Sequence, residues 1–447
     1  MKKNTLYIFG ITLLLPIFFF WWSNSGATLF SGWGGAAIAL GRLCGLLAVS
    51  CILVQFMLMG RAGWIEKVFG LDKLARIHHL NGYLTLTFLL LHPTLITIGY
   101  ASLTKKGLIG QFILLITTFE DVLNAFIAVL LFVTIVVFSI YIVRKRLKYE
   151  TWYYVHLFTY LAILLAWGHQ LEIGEDFLAS SYFTYYWYAL YIFVFGNVLV
   201  FHFLRPLYLF QKHGFHVEKV VKENDDTTSI YITGNHMEDF AVRGGQFIIF
   251  RFLAPKFWLQ HHPFSVSAVA EGRIRITVKN VGDFTSDLAT VKPGTRVIVD
   301  GPYGIFTEAT AKRSKILCIA GGIGITPIRS LIEDLVEHGK DTILMYSNKT
   351  KEEMVLGQEL EDLKKKGTLA IHYVFSQKQY DDALYGRIDK DLIARLIPDL
   401  KEREIYICGP QIMIVTLQQS LLELGIAPEN IHFELFSLHA SKITKKP

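Results

Sequence analysis

Six long apolar runs fill the first 208 residues of this 447-residue chain, and no other feature limits its fold so tightly. They lie at roughly 5–22, 33–60, 77–99, 108–143, 152–171 and 181–204. Each can cross a hydrocarbon core of about 30 Å as a helix rising about 1.5 Å per residue. The fourth is overlong, and Glu120 and Asp121 interrupt it, which puts its span at about 122–143. Residues 213–447 mix charged and apolar residues as soluble domains do. The chain therefore divides into a membrane half, 1–208, and a globular half.

Basic residues set the direction of the spans. Arg61, Lys67, Lys73 and Arg76 lie between the second and third runs, and Arg144, Lys145, Arg146 and Lys148 between the fourth and fifth. Lys2 and Lys3 precede the first run, and Arg205 and Lys212 follow the last. The alternate loops are poorer in positive charge: 23–32 has none, 172–180 carries Glu172, Glu175 and Asp176, and Lys105 with Lys106 is the exception. The positive-inside rule then puts both termini and the globular half in the cytosol. A cleaved secretory signal is the alternative for the first run, but its length and Trp21-Trp22 favour an interfacial anchor. The net charge of +6 sits largely in these loops and reads as topology, not as a nucleic-acid footprint. Cys44, Cys51, Cys318 and Cys408 show no CxxC spacing, so neither a disulfide framework nor a zinc site is indicated.

Ionisable side chains at membrane depth need a task or a partner. The third run carries His78, His79 and His92, and the fifth carries His156 and His169. His78 and His92 are 14 residues apart, which on a helix is a rise of about 21 Å and a return to within about 40° of the same face. His156 and His169 are 13 apart, ending about 140° away on an ideal helix, so a kink, a bulge or opposed rotamers must correct the second pair. Both runs point from inside to outside. His78 and His156 thus share an inner level, and His92 and His169 an outer one. Two histidines on facing helices at one level are what a bis-histidine iron porphyrin requires, and two stacked haems would carry electrons across the bilayer. Unrelated hydrogen-bonded histidines are the plain alternative. Zinc would need further ligands at each level. His79 could replace His78, at the cost of the 14-residue spacing. Arg42, within the second run, either serves an anionic group near the outer level or snorkels to the interface.

In the globular half, residues 213–310 alternate as β-strands, as in GQFIIFRF and RIRITVKN, and imply a small antiparallel barrel. Residues 311–447 have the βαβ rhythm of a parallel sheet. There the loop AGGIGITP follows a strand and opens a helix, the place where glycines admit a pyrophosphate. A second turn, ICGP, also follows a strand, so both turns belong at one rim of the sheet. HPFSVSA, in the barrel, offers an aromatic face with hydroxyl donors.

Together these stretches resemble one superfamily. RIHHLNGYLTLTFLLLHP and YVHLFTYLAILLAWGH are similar to the haem helices of ferric reductase-like transmembrane domains. HPFS, VKNVGDFTSDL, GPYG, AGGIGITP and CGP resemble a ferredoxin-reductase-type FAD and NAD(P)H module. In this order the halves resemble bacterial NADPH oxidases and ferric reductases. The implied fold is a six-helix transmembrane bundle, then an antiparallel β-barrel FAD domain, then an α/β parallel-sheet nucleotide domain. The resemblance implies that His78, His156, His92 and His169 hold two b-type haems. His262, Pro263, Phe264 and Ser265 would hold the flavin ring of FAD, with Lys279, Gly282 and Thr285 along its ribityl and diphosphate. Gly321, Gly322, Gly324, Thr326 and Pro327 would take the diphosphate of NADPH, or of NADH, and Cys408, Gly409 and Pro410 would lie by the nicotinamide. Ser347 and Lys349 fall at the 2′-phosphate position, and Glu434 and Phe436 match the terminal acid and the aromatic that covers the flavin.

The implied activity is electron transfer from cytosolic NADPH through FAD and two haems to an outer acceptor. That acceptor is expected to be oxygen, giving superoxide, or else a ferric or cupric complex or a quinone. The expected setting is a bacterial cytoplasmic membrane, with the lipid bilayer as surroundings and no obligatory protein partner. Two further readings are a conduit feeding an outside protein, and a channel or transporter with a cytosolic nucleotide sensor. The channel predicts no haem.

Overall fold

The computed structural model describes residues 3–119, 121–140, 149–172 and 175–435. Its contacts divide the chain into two compact units, Met1–Val68 with Lys73–His202, and Phe69–Asp72 with Phe203–Pro447.

In the first unit the apolar runs become long helices: α1 (Lys3–Ser25), α2 (Trp33–Met59), α3 (Leu71–Thr104), α5 (Val122–Ser139), α6 (Tyr149–Glu172) and α7 (Ser181–Val198). Five helices among the described residues are long and apolar enough to cross a membrane: α1, α2, α3, α5, and the one that runs from Ser181 to His213. The overlong fourth run is split. Leu108–Thr118 forms its own helix, α4, and the chain breaks at Phe119 and at Asp121, whose φ of 59° no helix accommodates. Large side chains such as Ile8, Ile11, Leu164 and Ile192 lie exposed on the outer faces, as a lipid-facing surface requires. The interior is filled by Ile17, Trp21, Leu53, Phe132, Phe183 and Trp187.

Close approach of α2 and α3 depends on small residues. Cβ atoms added at Gly34, Gly41 and Gly45 would press on Ser102 and Gly99, on Ile96, and on the ring of His92 respectively. Missing side chains of this kind let membrane helices meet backbone to backbone.

The second unit begins with α8 (Arg205–His213), reached from α7 through a π-helical segment, Leu199–Leu204. A six-stranded antiparallel sheet follows: β1 (His216–Lys222), β2 (Thr227–Thr233), β3 (Phe247–Phe252), β4 (His262–Ala270), β5 (Arg273–Lys279) and β6 (Val297–Tyr303). The strand order is β1-β2-β5-β4-β3-β6. Hydrogen bonds from Val217 N to Thr295 O (2.9 Å) and from Val297 N to Phe215 O (2.9 Å) join β1 back to β6 and close the barrel. Alternating apolar positions such as Ile248, Phe250, Phe252, Ile274 and Ile276 fill it.

The last domain is a parallel sheet of β7 (Lys315–Gly321), β8 (Asp341–Asn348), β9 (Leu369–Phe375), β10 (Leu384–Tyr385), β11 (Glu404–Cys408) and β12 (Ile431–Glu434), in the order β10-β9-β8-β7-β11-β12. Because strand side chains alternate, Ile316, Cys318 and Ala320 meet α9 (Ile325–Glu337) and α10 (Gly357–Lys366) on one face. Leu317 and Ile319 meet α11 (Lys390–Leu396) and α12 (Gln411–Glu423) on the other. Both faces are covered, as parallel sheets require.

Candidate functional site

The membrane unit joins its histidines in pairs. His78 on α3 faces His156 on α6 with ring centroids 6.0 Å apart, and His92 faces His169 at the same 6.0 Å. The 13-residue step does not prevent the outer pair from meeting. Helix α6 runs without a break or bulge between its histidines, which leaves side-chain rotamers and helix crossing to make up the angle. His79 is exposed and turns to Tyr83, its Nε2 lying 3.4 Å from the phenol oxygen.

These pairs fit an iron porphyrin. Two imidazoles bound end-on to one metal at about 2 Å each have ring centres about 6 Å apart. His92 Nδ1 lies 2.8 Å from the Gly41 carbonyl, which only accepts, so the ring carries its proton there and leaves the Nε2 lone pair for a metal. The Nδ1 atoms of His156 and His169 are buried without a hydrogen-bond partner among the described residues. Among the described residues no group of three or more His, Cys, Asp or Glu side chains comes together. Two protein ligands suit a metal whose remaining positions a macrocycle supplies.

In the same unit, Arg42 Nη1 reaches Ser25 Oγ (3.3 Å), and Ser25 Oγ reaches Asp176 Oδ1 (3.1 Å). Ser25 and Asp176 are both buried. Asp176 is thus a linked interior acid and not a solvated loop charge.

In the barrel, β4 carries the HPFS stretch. It pairs with β3 through Phe250↔His262, Ile249↔Pro263, Ile248↔Phe264 and Phe247↔Ser265. Pro263 is exposed and Ser265 buried. Phe284 forms a wall beside this strand, its ring 3.9 Å from that of His262 and nearly parallel to Phe264 at 6.2 Å. The sequence reading passed over Phe284. Its signal was an aromatic inside the polar loop GDFTSD, between the selected Gly282 and Thr285. Thr285 Oγ1 accepts from the amides of Val281 (2.9 Å) and Gly282 (3.0 Å), so it caps the short helix Asp283–Asp287 that this stretch forms. Lys279 pairs with Asp226 at 3.0 Å and with Glu353 at 3.7 Å. In GPYG, Tyr303 is buried, donates to Asp300 Oδ1 (2.5 Å) and lies under the guanidinium of Arg205 (5.6 Å).

The parallel sheet gathers the remaining candidates at the carboxyl ends of its strands. Register pairs Gly321 with Ser347, Ala320 with Cys408, and Cys408 with Glu434. The GGIG and CGP turns are therefore neighbours on one rim, as ligand sites of open parallel sheets are. Their glycines divide the work. A Cβ on Gly324 would collide with the Cys408 carbonyl, one on Gly321 would lie 2.6 Å from Met413 Sδ, and one on Gly409 would lie 3.1 Å from Gly321 Cα. These three let the turns pack on each other. Gly322 alone of the four has a left-handed φ, +53°, and opens onto space.

Thr326 and Pro327 are buried at the start of α9, with Thr326 Oγ1 donating to Ile323 O at 3.0 Å. Lys349 is exposed just past β8, while Ser347 is half-buried. Pro410 stands at the head of α12. Burial, reinforced by the Glu434 carboxylate, pushes the Cys408 thiol well above its ordinary range, so it stays protonated and is no nucleophile at neutral pH. Phe436 lies outside the described residues.

Three family models match the chain in this order: a ferric reductase like transmembrane component over residues 44–167, an FAD-binding domain over 212–307, and an oxidoreductase NAD-binding domain over 318–419. Flavohemoprotein A of Dictyostelium discoideum is 29% identical over 152 residues, 33% of this chain and 37% of that protein. A flavohemoprotein of Oceanobacillus iheyensis is 27% identical over 237 residues, 50% of this chain and 58% of that one. The chain thus spans well under two thirds of both relatives. The FAD/NAD-binding domain of a nitric oxide dioxygenase from Vibrio cholerae superposes with a TM-score of 0.44 at 24% identity, over 49% of this chain and 97% of that one. The chain accordingly has a ferric reductase/NADPH oxidase-like architecture, a ferric reductase-like transmembrane component joined to a ferredoxin-reductase-type FAD and NAD module.

Proposed function

We propose that this protein is a transmembrane NAD(P)H oxidoreductase that takes electrons from NADPH on the cytosolic side and delivers them to oxygen on the outer face, giving superoxide. The observation that carries the reading is the pair of histidine pairs, each closed to 6.0 Å between the same two helices. When bound, FAD would supply the exchange between electron pairs and single electrons, and two b-type haems would supply one-electron relay across the bilayer.

The chain's own residues do the rest. His78 with His156, and His92 with His169, would hold the two haem irons, and Gly41 fixes the proton of His92 on Nδ1. His262 to Ser265, with Phe284, present a ring-binding wall for the flavin. Gly322 and the start of α9 would receive the dinucleotide diphosphate, Lys349 the 2′-phosphate, and Cys408 would offer a neutral sulfur beside the nicotinamide. Glu434 and Phe436 are proposed as the terminal acid and the aromatic that covers the flavin. Basic-residue asymmetry supports cytosolic termini in a bacterial cytoplasmic membrane.

The test is cytochrome c reduction by the purified, FAD- and haem-loaded protein with NADPH in air, with and without superoxide dismutase. Loss of the signal on adding dismutase is expected. A signal that survives dismutase, or is missing while NADPH still reduces the haems anaerobically, overturns oxygen as acceptor and points to ferric or cupric complexes or quinones.

A further inference from the structure

We propose that Glu359, gripped between Arg275 and Arg329, is a positioning residue that sets the nicotinamide site against the flavin site. The inference rests on the oxidoreductase reading above and adds a residue outside those assigned to either cofactor.

Three elements converge on Glu359, which sits on α10. Arg275 of β5 makes a two-pronged pair with its carboxylate, through Nη1 to Oε1 and through Nη2 to Oε2 at 2.8 Å. Arg329 of α9 reaches the same Oε2 from Nε at 2.9 Å, and also pairs with Glu333. Both guanidinium groups are nearly inaccessible, with side-chain exposures of 5% and 9%. Arg275 is further fixed by Ser267 Oγ (3.0 Å) and Tyr231 OH (3.4 Å), and Arg329 Nη1 donates to the Ser267 carbonyl (3.3 Å).

The location gives this cluster its meaning. Ser267 lies two residues beyond Ser265 of the HPFS strand, and Arg329 lies two residues beyond Pro327 of the GGIGITP turn. The same strand and helix are bolted a second time. Ser330 Oγ donates to Val266 O (2.6 Å) and accepts from Gly245 N (3.0 Å), while Gly244 N donates to Asp334 Oδ2 (2.7 Å). Gly244 has no room for a Cβ, which would lie 2.8 Å from Leu331 N. The strand meant for the flavin and the helix meant for the dinucleotide therefore meet at one fixed angle.

Apolar residues would hold such a seam at least as tightly, since burying ions is costly. What an ionic cluster adds is direction: the carboxylate takes both prongs of Arg275 in one arrangement, with Arg329 held beside it as a close ion pair. Hydride transfer needs reacting atoms within about 3–3.5 Å, and small misplacements slow it steeply. Removing the Glu359 charge leaves Arg275 and Arg329 repelling each other across the seam.

The test uses full-length, FAD-loaded protein with E359Q, E359D and R275K. Two readouts are taken: anaerobic flavin bleaching at saturating NADPH, with normal and 4-deuterated cofactor, and deuterium uptake at the Gly244 and Gly245 amides. For E359Q we expect bleaching roughly 10- to 100-fold slower with a larger isotope effect, unchanged FAD retention and faster uptake at both amides. E359D should recover most of the rate. R275K keeps the charge but loses the bidentate fork, and gives the same signature should E359Q not fold. Wild-type bleaching rates in E359Q, or faster uptake with no change in rate, overturn the positioning role alone. Wild-type protein that retains FAD yet is bleached by neither NADPH nor NADH overturns the oxidoreductase reading and the positioning role with it.

Discussion

His92 and His169 face each other across two helices at 6.0 Å between ring centres, and His92 is held there by the Gly41 carbonyl at 2.8 Å. If this is an axial pair, His92→Ala or His169→Ala removes the outer haem and leaves the inner one. The haem content of the purified protein should fall by about half. NADPH should still reduce the remaining haem without oxygen, while transfer to the outer acceptor is lost. Titrating haem against protein by absorbance checks it; full haem content in either variant contradicts the assignment.

The inner level separates two adjacent histidines. His78 meets His156, whereas His79 turns to Tyr83. His79→Ala should therefore leave the low-spin haem spectrum intact, and His78→Ala should abolish one haem's contribution. The reverse result would exchange their roles.

The glycines of the two rim turns predict opposite phenotypes. Gly324→Ala drives a methyl into the Cys408 carbonyl and should cost about 3 kcal/mol of stability in the soluble unit. Gly322→Ala meets no neighbour, so its cost is only that of a left-handed residue, about 1–2 kcal/mol, and its larger effect should fall on NADPH binding. Thermal unfolding alongside NADP⁺ titration distinguishes the two.

Lys349 stands exposed beyond β8, where a 2′-phosphate would pair with it. Lys349→Ala should raise KM for NADPH roughly 10- to 100-fold, the loss of one charge-assisted hydrogen bond, and leave KM for NADH unchanged. Equal changes for both cofactors would remove Lys349 from the phosphate site.

Acid should loosen the seam at Glu359. Burial alone would raise this carboxyl, but hydrogen bonds and charge from Arg275, with Arg329 beside it, hold it below the usual range. A depressed carboxylate contributes stability that is complete above its unfolded pKa, about 4.3, and is lost as pH falls through the lower folded value. Unfolding of the wild-type soluble unit should therefore steepen with acid below about pH 4.3, and this component should be missing in E359Q. An identical acid dependence in both proteins would refute it.

Much of the molecule was legible from sequence alone. Hydropathy located the long helices because a bilayer has one thickness, and backbone groups in lipid must be satisfied within a helix. The period-2 strands and the βαβ rhythm announced the two soluble folds because burial on one or both faces leaves a periodic trace. The GGIG and CGP turns were placed on one rim because strands of a parallel sheet all end on the same side.

What sequence could not reach were relations between residues distant in the chain. Sequence put His92 and His169 at one level, but periodicity alone left His169 about 140° away from the face that carries His156. Only the packing of α3 against the small-residue face of α2, and the position of α6, could bring them together. Phe284 became a wall of the candidate flavin site once its loop folded over β4. Sequence assigned Gly321 and Gly324 a place at the diphosphate and Gly409 one by the nicotinamide; that the same glycines also let the two turns press together appeared only in the fold. Arg275, Glu359 and Arg329 are unremarkable charges in sequence and become one buried cluster only when a strand and two helices converge. Periodicity records which side of an element is buried; what it is buried against is decided by tertiary structure alone.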